Sequence, residues 1–104
     1  MQDVYEKLVE FQLERDWKKF HTPENLAKSI SIEAAELLEH FQWKKEYDIT
    51  EVGEELADVL IYCIYMADSL DLDIKEIILD KMSKNAVKYP VDKSRGNAKK
   101  YTEL

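Results

Sequence analysis

Twelve consecutive residues, Leu56 to Ala67, are apolar or aromatic with one exception, Asp58. Such a run spans three helical turns and is too uniformly apolar for a surface helix, so it predicts a helix buried nearly all round. A carboxylate in the middle of that helix is costly to keep ionised without a partner. The chain is also sparsely punctuated: two glycines and two prolines in 104 residues leave room for little besides a few long helices. The expected fold class is all-α, a four-helix bundle in a single domain over 1–104, with a helical body over 1–89 and a basic, irregular tail over 90–104.

Asp58 is one of four acids set in two pairs. Glu33 with Glu36, and Glu55 with Asp58, stand three residues apart, which on a helix stacks both side chains on one face. Leu26, Ile30, Ala34, Leu37 and Phe41 fall on one helical stripe. Glu33 projects into that stripe and Glu36 sits at its edge. Like charges about 5 Å apart repel by roughly 3 kcal/mol at an effective dielectric near 20, so a cation belongs among the four. Oxygen-only ligands favour a hard ion, Mg²⁺ or Mn²⁺. Glu10, Glu14, Glu39 and Glu54 are expected on solvated faces instead.

The first helix is expected from Asp3 to about Phe20 with Val4, Leu8 and Phe11 inward. Thr22, Pro23 and Glu24 form an N-terminal signal for a second helix reaching about Trp43. A short polar connection, Lys44 to Ile49, makes the second and third helices antiparallel neighbours and brings the acid pairs together. Thr50 is the expected cap of the third helix, which runs to about Leu70. Asp73 with Glu76 resembles a capping box opening a fourth helix that ends near Tyr89. That helix turns from an apolar face, Ile74, Ile77 and Ile78, to one carrying Lys81, Asn85 and Lys88.

The net charge is −7, but residues 1–80 hold 20 acids and 8 bases, and residues 81–104 hold 2 acids and 7 bases. The acidic balance argues against a nucleic-acid polymer as partner. The basic end suits a polyanion once cations occupy the acids; a solvated tail is the alternative. No apolar run reaches membrane-spanning length and the first residues lack signal-peptide character, so a cytoplasmic setting without membrane contact is expected. Cys63, inside the apolar run, is expected to be a buried, inert thiol. His40, four residues after Glu36 and within reach of it, is expected at the surface.

Carboxylate-held metal beside lysine and arginine is equipment for reaction at phosphate. Trp17, Trp43, Tyr62 and Phe11 are candidates to stack on a base, with plain core packing the alternative for each. Tyr62 is the best placed, four residues after Asp58. No glycine-rich phosphate loop, Cys-x-x-Cys or Gly-x-Ser-x-Gly is present.

Glu33-x-x-Glu36, an 18-residue interval, then Glu55-x-x-Asp58 resembles the metal signature of the MazG-like all-α nucleoside triphosphate pyrophosphohydrolases. The likeness extends through Glu14-Arg15-Asp16-Trp17, Phe20-His21-Thr22-Pro23-Glu24, Phe41-Gln42-Trp43, Lys81-Met82 with Asn85, Tyr89-Pro90 and Lys100-Tyr101-Thr102-Glu103-Leu104, and is greatest to the small dCTP pyrophosphatase branch. The resemblance implies a MazG-like bundle completed by oligomerisation as a homodimer or homotetramer. It implies Mg²⁺-dependent cleavage of a nucleoside triphosphate, dCTP-like or a modified deoxynucleotide, to monophosphate and pyrophosphate. Glu33, Glu36, Glu55 and Asp58 match the metal ligands, with one of the glutamates also orienting or deprotonating the attacking water. Lys81 and Asn85 match phosphate- or sugar-contacting positions, with Lys88 and Arg95 adding to that basic end; Tyr62 matches a sugar-packing position, and Trp17 and Trp43 aromatic positions around the base. Leu8 is a departure, standing where some dCTP-preferring relatives have a histidine near the base pocket. A non-catalytic helical oligomer binding a nucleotide or a protein, and a phosphoribosyl-ATP-type pyrophosphohydrolase, are the rival readings.

Overall fold

Helix α1, Gln2–Glu14, ends well before Phe20. In this computed structural model, which describes residues 1–43 and 45–104, Asp16 takes a left-handed φ of 54°. Around it the Trp17 amide donates to the Gln12 carbonyl at 2.9 Å and the Asp16 amide to the Leu13 carbonyl at 3.1 Å. This pair of reversed bonds is the Schellman closure, here with aspartate where glycine is usual. The expected continuous first helix is therefore corrected to α1, a tight turn, and a 3-10 turn at Lys18–Phe20.

Helix α2, Pro23–Gln42, starts as the sequence predicts: Thr22 Oγ1 accepts from the Asn25 amide and Pro23 occupies the first turn. Helix α3, Ile49–Ser69, starts two residues earlier than expected. Asp48, not Thr50, holds the free amides, its Oδ1 accepting from Thr50 at 2.9 Å and Glu51 at 3.3 Å. Aspartate both caps and opposes the positive end of the helix dipole, an advantage a threonine lacks. Of the expected 44–49 connection, Lys44 lies outside the described residues. Helix α3 closes on a second Schellman arrangement, with Asp71 at φ 54° and the Leu72 amide on the Ala67 carbonyl.

The described residues form two compact units, Met1–Leu72 and Asp73–Leu104. In the first, α3 packs against α2 and, less extensively, α1. The helices α2 and α3 are antiparallel: Glu33 lies with Asp58, and His40 with Glu55 and Glu51, so one number rises as the other falls. Leu26, Ile64, Tyr65 and Ala67 are the buried apolar residues, each large one contributing about 2 kcal/mol. The expected all-round burial of α3 is not reached in one chain. Leu56 and Leu60 stay 45% and 53% exposed, and Cys63 is exposed rather than buried. On α1 the expectation that Val4 and Phe11 point inward is also corrected: both are exposed, and the buried residue is Gln12.

In the second unit, Asp73 caps α4, Ile74–Lys88, through the Glu76 amide at 3.0 Å, as expected. The tail is more ordered than the sequence suggests. It contains a short α5, Val91–Ser94, and a 3-10 turn at Tyr101–Glu103. Tyr101 packs edge-on to Tyr89, and the Lys88 ammonium lies 4.8 Å from the Tyr101 ring, a cation–π contact that ties the last turn back to the end of α4. No strand occurs among the described residues, and none of the helices they form is long and apolar enough to cross a membrane.

Candidate active site

The antiparallel register of α2 and α3 brings the acid pairs into one place. Ligand oxygens of Glu33, Glu55 and Asp58 lie within 4.8 Å of one another. Glu36, one turn along α2 from Glu33, borders this three-residue nest and acts on Glu33 through its charge. Glu33, Glu36 and Glu55 are half-buried and Asp58 is exposed. Glu33 Oε2 and Glu55 Oε2 are buried with no hydrogen-bond partner among the described residues. Two orphaned carboxylate oxygens aimed into a cluster of acids are what a divalent cation completes, so the residues present fit a metal.

Crowding marks Glu33 electrostatically. Desolvation first, then Glu36 and the charges of Asp58 and Glu55, push its pKa from 4.5 up to about 7. The native chain thus holds a proton that the unfolded chain releases above pH 4.5. The stability that proton confers on the cation-free protein is complete below about pH 4.5 and is lost as the pH rises through about 7. Thermal melts between pH 4.5 and 7.5 are expected to show this fall without divalent cation and to flatten with it; parallel curves would contradict the shared nest.

The nest sits between two cavities. On one side is an apolar cleft of about 510 Å³ walled by Leu8, Phe11, Trp17, Phe20, His21, Ile61, Tyr62 and Tyr65, with Asp58 on its border. On the other is a polar cavity of about 580 Å³ that Glu36 and Glu55 share with His40, Glu51 and Asp48. Asp58 is the nest residue that faces the aromatic side. Phe11 meets Trp17 edge-on at 5.7 Å, and the Arg15 guanidinium covers Phe11 at 3.5 Å. A flat aromatic ligand fits such a wall.

The structure gathers Trp17, Tyr62 and Phe11 around this cleft as the sequence predicts. Trp43 is not among them: it caps the C-terminus of α2 and is 86% exposed. Lys81, Asn85 and Lys88 on α4, and Arg95 after α5, are exposed in the second unit. His40 is corrected from a surface position to a half-buried one, with Nε2 3.8 Å from Glu55 Oε1 and Nδ1 3.9 Å from Glu51 Oε2. Sequence reasoning missed His21, Tyr65 and Phe20. The first two stack at 4.7 Å between ring centres, a contact between positions too far apart in the chain for any periodicity to show.

Similar architecture and sequence occur together in proteins of known activity. A pyrophosphatase from Archaeoglobus fulgidus superposes with a TM-score of 0.79 at 46% identity, over 86% of this chain and 92% of that one. The dCTP pyrophosphatase 1 of Mus musculus is 40% identical, and that of Homo sapiens 38%; each match takes in 100% of this chain and 67% of the relative. An all-α frame, a carboxylate nest and an aromatic cleft, in a chain this similar to those enzymes, define a nucleotide pyrophosphohydrolase. The chain belongs to the MazG-like family, whose model matches residues 28–104.

Proposed function

We propose that this enzyme hydrolyses a nucleoside triphosphate, dCTP or a related deoxynucleotide, between the α and β phosphates, with Mg²⁺ as cofactor and Mn²⁺ as a substitute. The products are the monophosphate and pyrophosphate. The observation that carries this reading is the convergence of Glu33, Glu55 and Asp58 within 4.8 Å beside the apolar cleft. The relatives named as dCTP pyrophosphatases support the choice of base.

Glu33, Glu36, Glu55 and Asp58 would hold the cation. When bound, it neutralises phosphate charge and acidifies a coordinated water. Glu33 and Glu36, one turn apart on α2, are the pair from which the proton acceptor for that water comes. Trp17 and Tyr62 flank the base and sugar in the cleft. Lys81 and Asn85 keep the phosphate- or sugar-contacting role implied by the family resemblance, and Lys88 and Arg95 add positive charge for the phosphates. Trp43, 86% exposed, keeps the role of an aromatic position around the base that the family resemblance implies. The bare apolar residues of α2 and α3, Ile32, Leu38 and Leu60 among them, suit a homodimer or homotetramer in a cytoplasmic setting.

The test is pyrophosphate release from a panel of ribo- and deoxynucleoside triphosphates with Mg²⁺ or Mn²⁺. Release greatest from dCTP or a modified cytosine deoxynucleotide is the expected result. No pyrophosphate from any member with either ion would overturn the reading.

A further inference from the structure

Next to the cleft wall lies a part-buried polar chain that the hydrolysis does not use. Asp68 near the end of α3 accepts two hydrogen bonds from α1, one from Tyr5 Oη to Oδ1 at 2.6 Å and one from Gln12 Nε2 to Oδ2 at 3.0 Å, with the Lys18 ammonium 3.9 Å from Oδ2. An ionised carboxylate can only accept. The amide of Gln12, a side chain 1% exposed, is thereby fixed with its nitrogen on Asp68 and its oxygen turned to His21. Gln12 Oε1 lies 2.7 Å from His21 Nδ1, and an amide oxygen has only lone pairs to offer. Nδ1 therefore carries the proton.

In a neutral imidazole one nitrogen donates and the other accepts. Burial pulls the His21 pKa below its ordinary value, which keeps the ring neutral. Its face is stacked on Tyr65 at an angle of 29°, and its Nδ1 edge is committed to Gln12. The opposite edge carries Nε2 with a free lone pair, and His21 is one of the walls of the cleft. The other walls are hydrocarbon or aromatic save Asp58, so beside that carboxylate and the tyrosine hydroxyls this nitrogen is the one further side-chain acceptor among the wall residues. Polar groups placed singly in apolar pockets select orientation and partner.

We propose that His21 reads the base of the substrate: held as the Nδ1–H tautomer by Asp68 through Gln12, it offers Nε2 to an exocyclic amino group, so the cleft selects cytosine over uracil. This rests on the nucleotide pyrophosphohydrolase reading and adds the residue that discriminates. A keto oxygen in place of the amino group would meet a lone pair and leave both acceptors unpaired. The resulting discrimination is about tenfold or more. Gln12 and Asp68 are positioning residues in this scheme, since neither is a wall of the cleft.

The decisive comparison is kcat/KM for dCTP against dUTP in the wild type and in His21→Asn. Asparagine keeps a donor for Gln12 Oε1 and puts nothing at Nε2. The dCTP to dUTP ratio is expected to fall about tenfold or more, chiefly through KM; an unchanged ratio in an active variant would overturn the proposal. Should the variant fail to fold, nitrogen-15 spectra of the intact wild type decide. The His21 Nε2 signal is expected to be that of an unprotonated nitrogen and to move on adding dCMP but not dUMP. A proton on Nε2, or no response to dCMP, would overturn it. Absence of pyrophosphate from both triphosphates in the wild type refutes the activity instead, and the spectra still decide the role of His21.

Discussion

Asp58→Asn is expected to lower kcat/KM about a thousandfold or more while raising the melting temperature of the cation-free protein. The loss follows from removing a charged oxygen where phosphate charge has to be neutralised. The gain follows from the crowding that lifts Glu33, since one fewer carboxylate relieves repulsion. Asp58 is exposed, so solvent screens much of that repulsion and the relief is about 1 kcal/mol, roughly 4–8 °C for a domain of this size. Pyrophosphate assays and melts with and without Mg²⁺ check both halves. The wild type is expected to gain stability from the ion by linkage, and the variant to lose most of that gain. Retained turnover, or a lower melting point without metal, would contradict the nest as a cation site.

Gln12→Leu should act in the opposite sense. Leucine nearly matches glutamine in volume, so packing changes little, but His21 Nδ1–H loses its acceptor and Asp68 loses one of its donors. Stranding two half-buried groups costs about 2 kcal/mol, which lowers the melting temperature by about 8–16 °C. A drop of less than a few degrees would show that the chain from Tyr5 to His21 contributes little. The two substitutions separate the roles of buried polarity in one small molecule. Removing an acid from the nest relaxes it, whereas removing the amide from the relay breaks it.

Much of this site could be read from residue spacing because helices repeat. Glu33, Glu55 and Asp58 converge because the antiparallel register of the two helices brings their faces together, and Tyr62 follows Asp58 on the same face. Thr22 and Asp73 cap where local chemistry says they should. What stayed hidden depends on partners distant in sequence. Gln12 and Asp68 are 56 residues apart, and a glutamine within a loose apolar pattern carries no mark of burial. The end of α1 was missed because Asp16 does at φ 54° what glycine normally does. The exposure of Cys63, Leu60 and Trp43 was missed for another reason: residue pattern reports what a side chain prefers to touch, not what the fold places beside it.

The placement of Asp58 at the border between nest and cleft has an evolutionary corollary. The remaining walls of the cleft, Leu8 and Phe20 among them, hold no part of the acid cluster. Exchanging them redraws the outline offered to a base while every cation-facing oxygen keeps its address. A scaffold divided this way can diversify its diet one wall residue at a time, and the cutting chemistry is inherited intact.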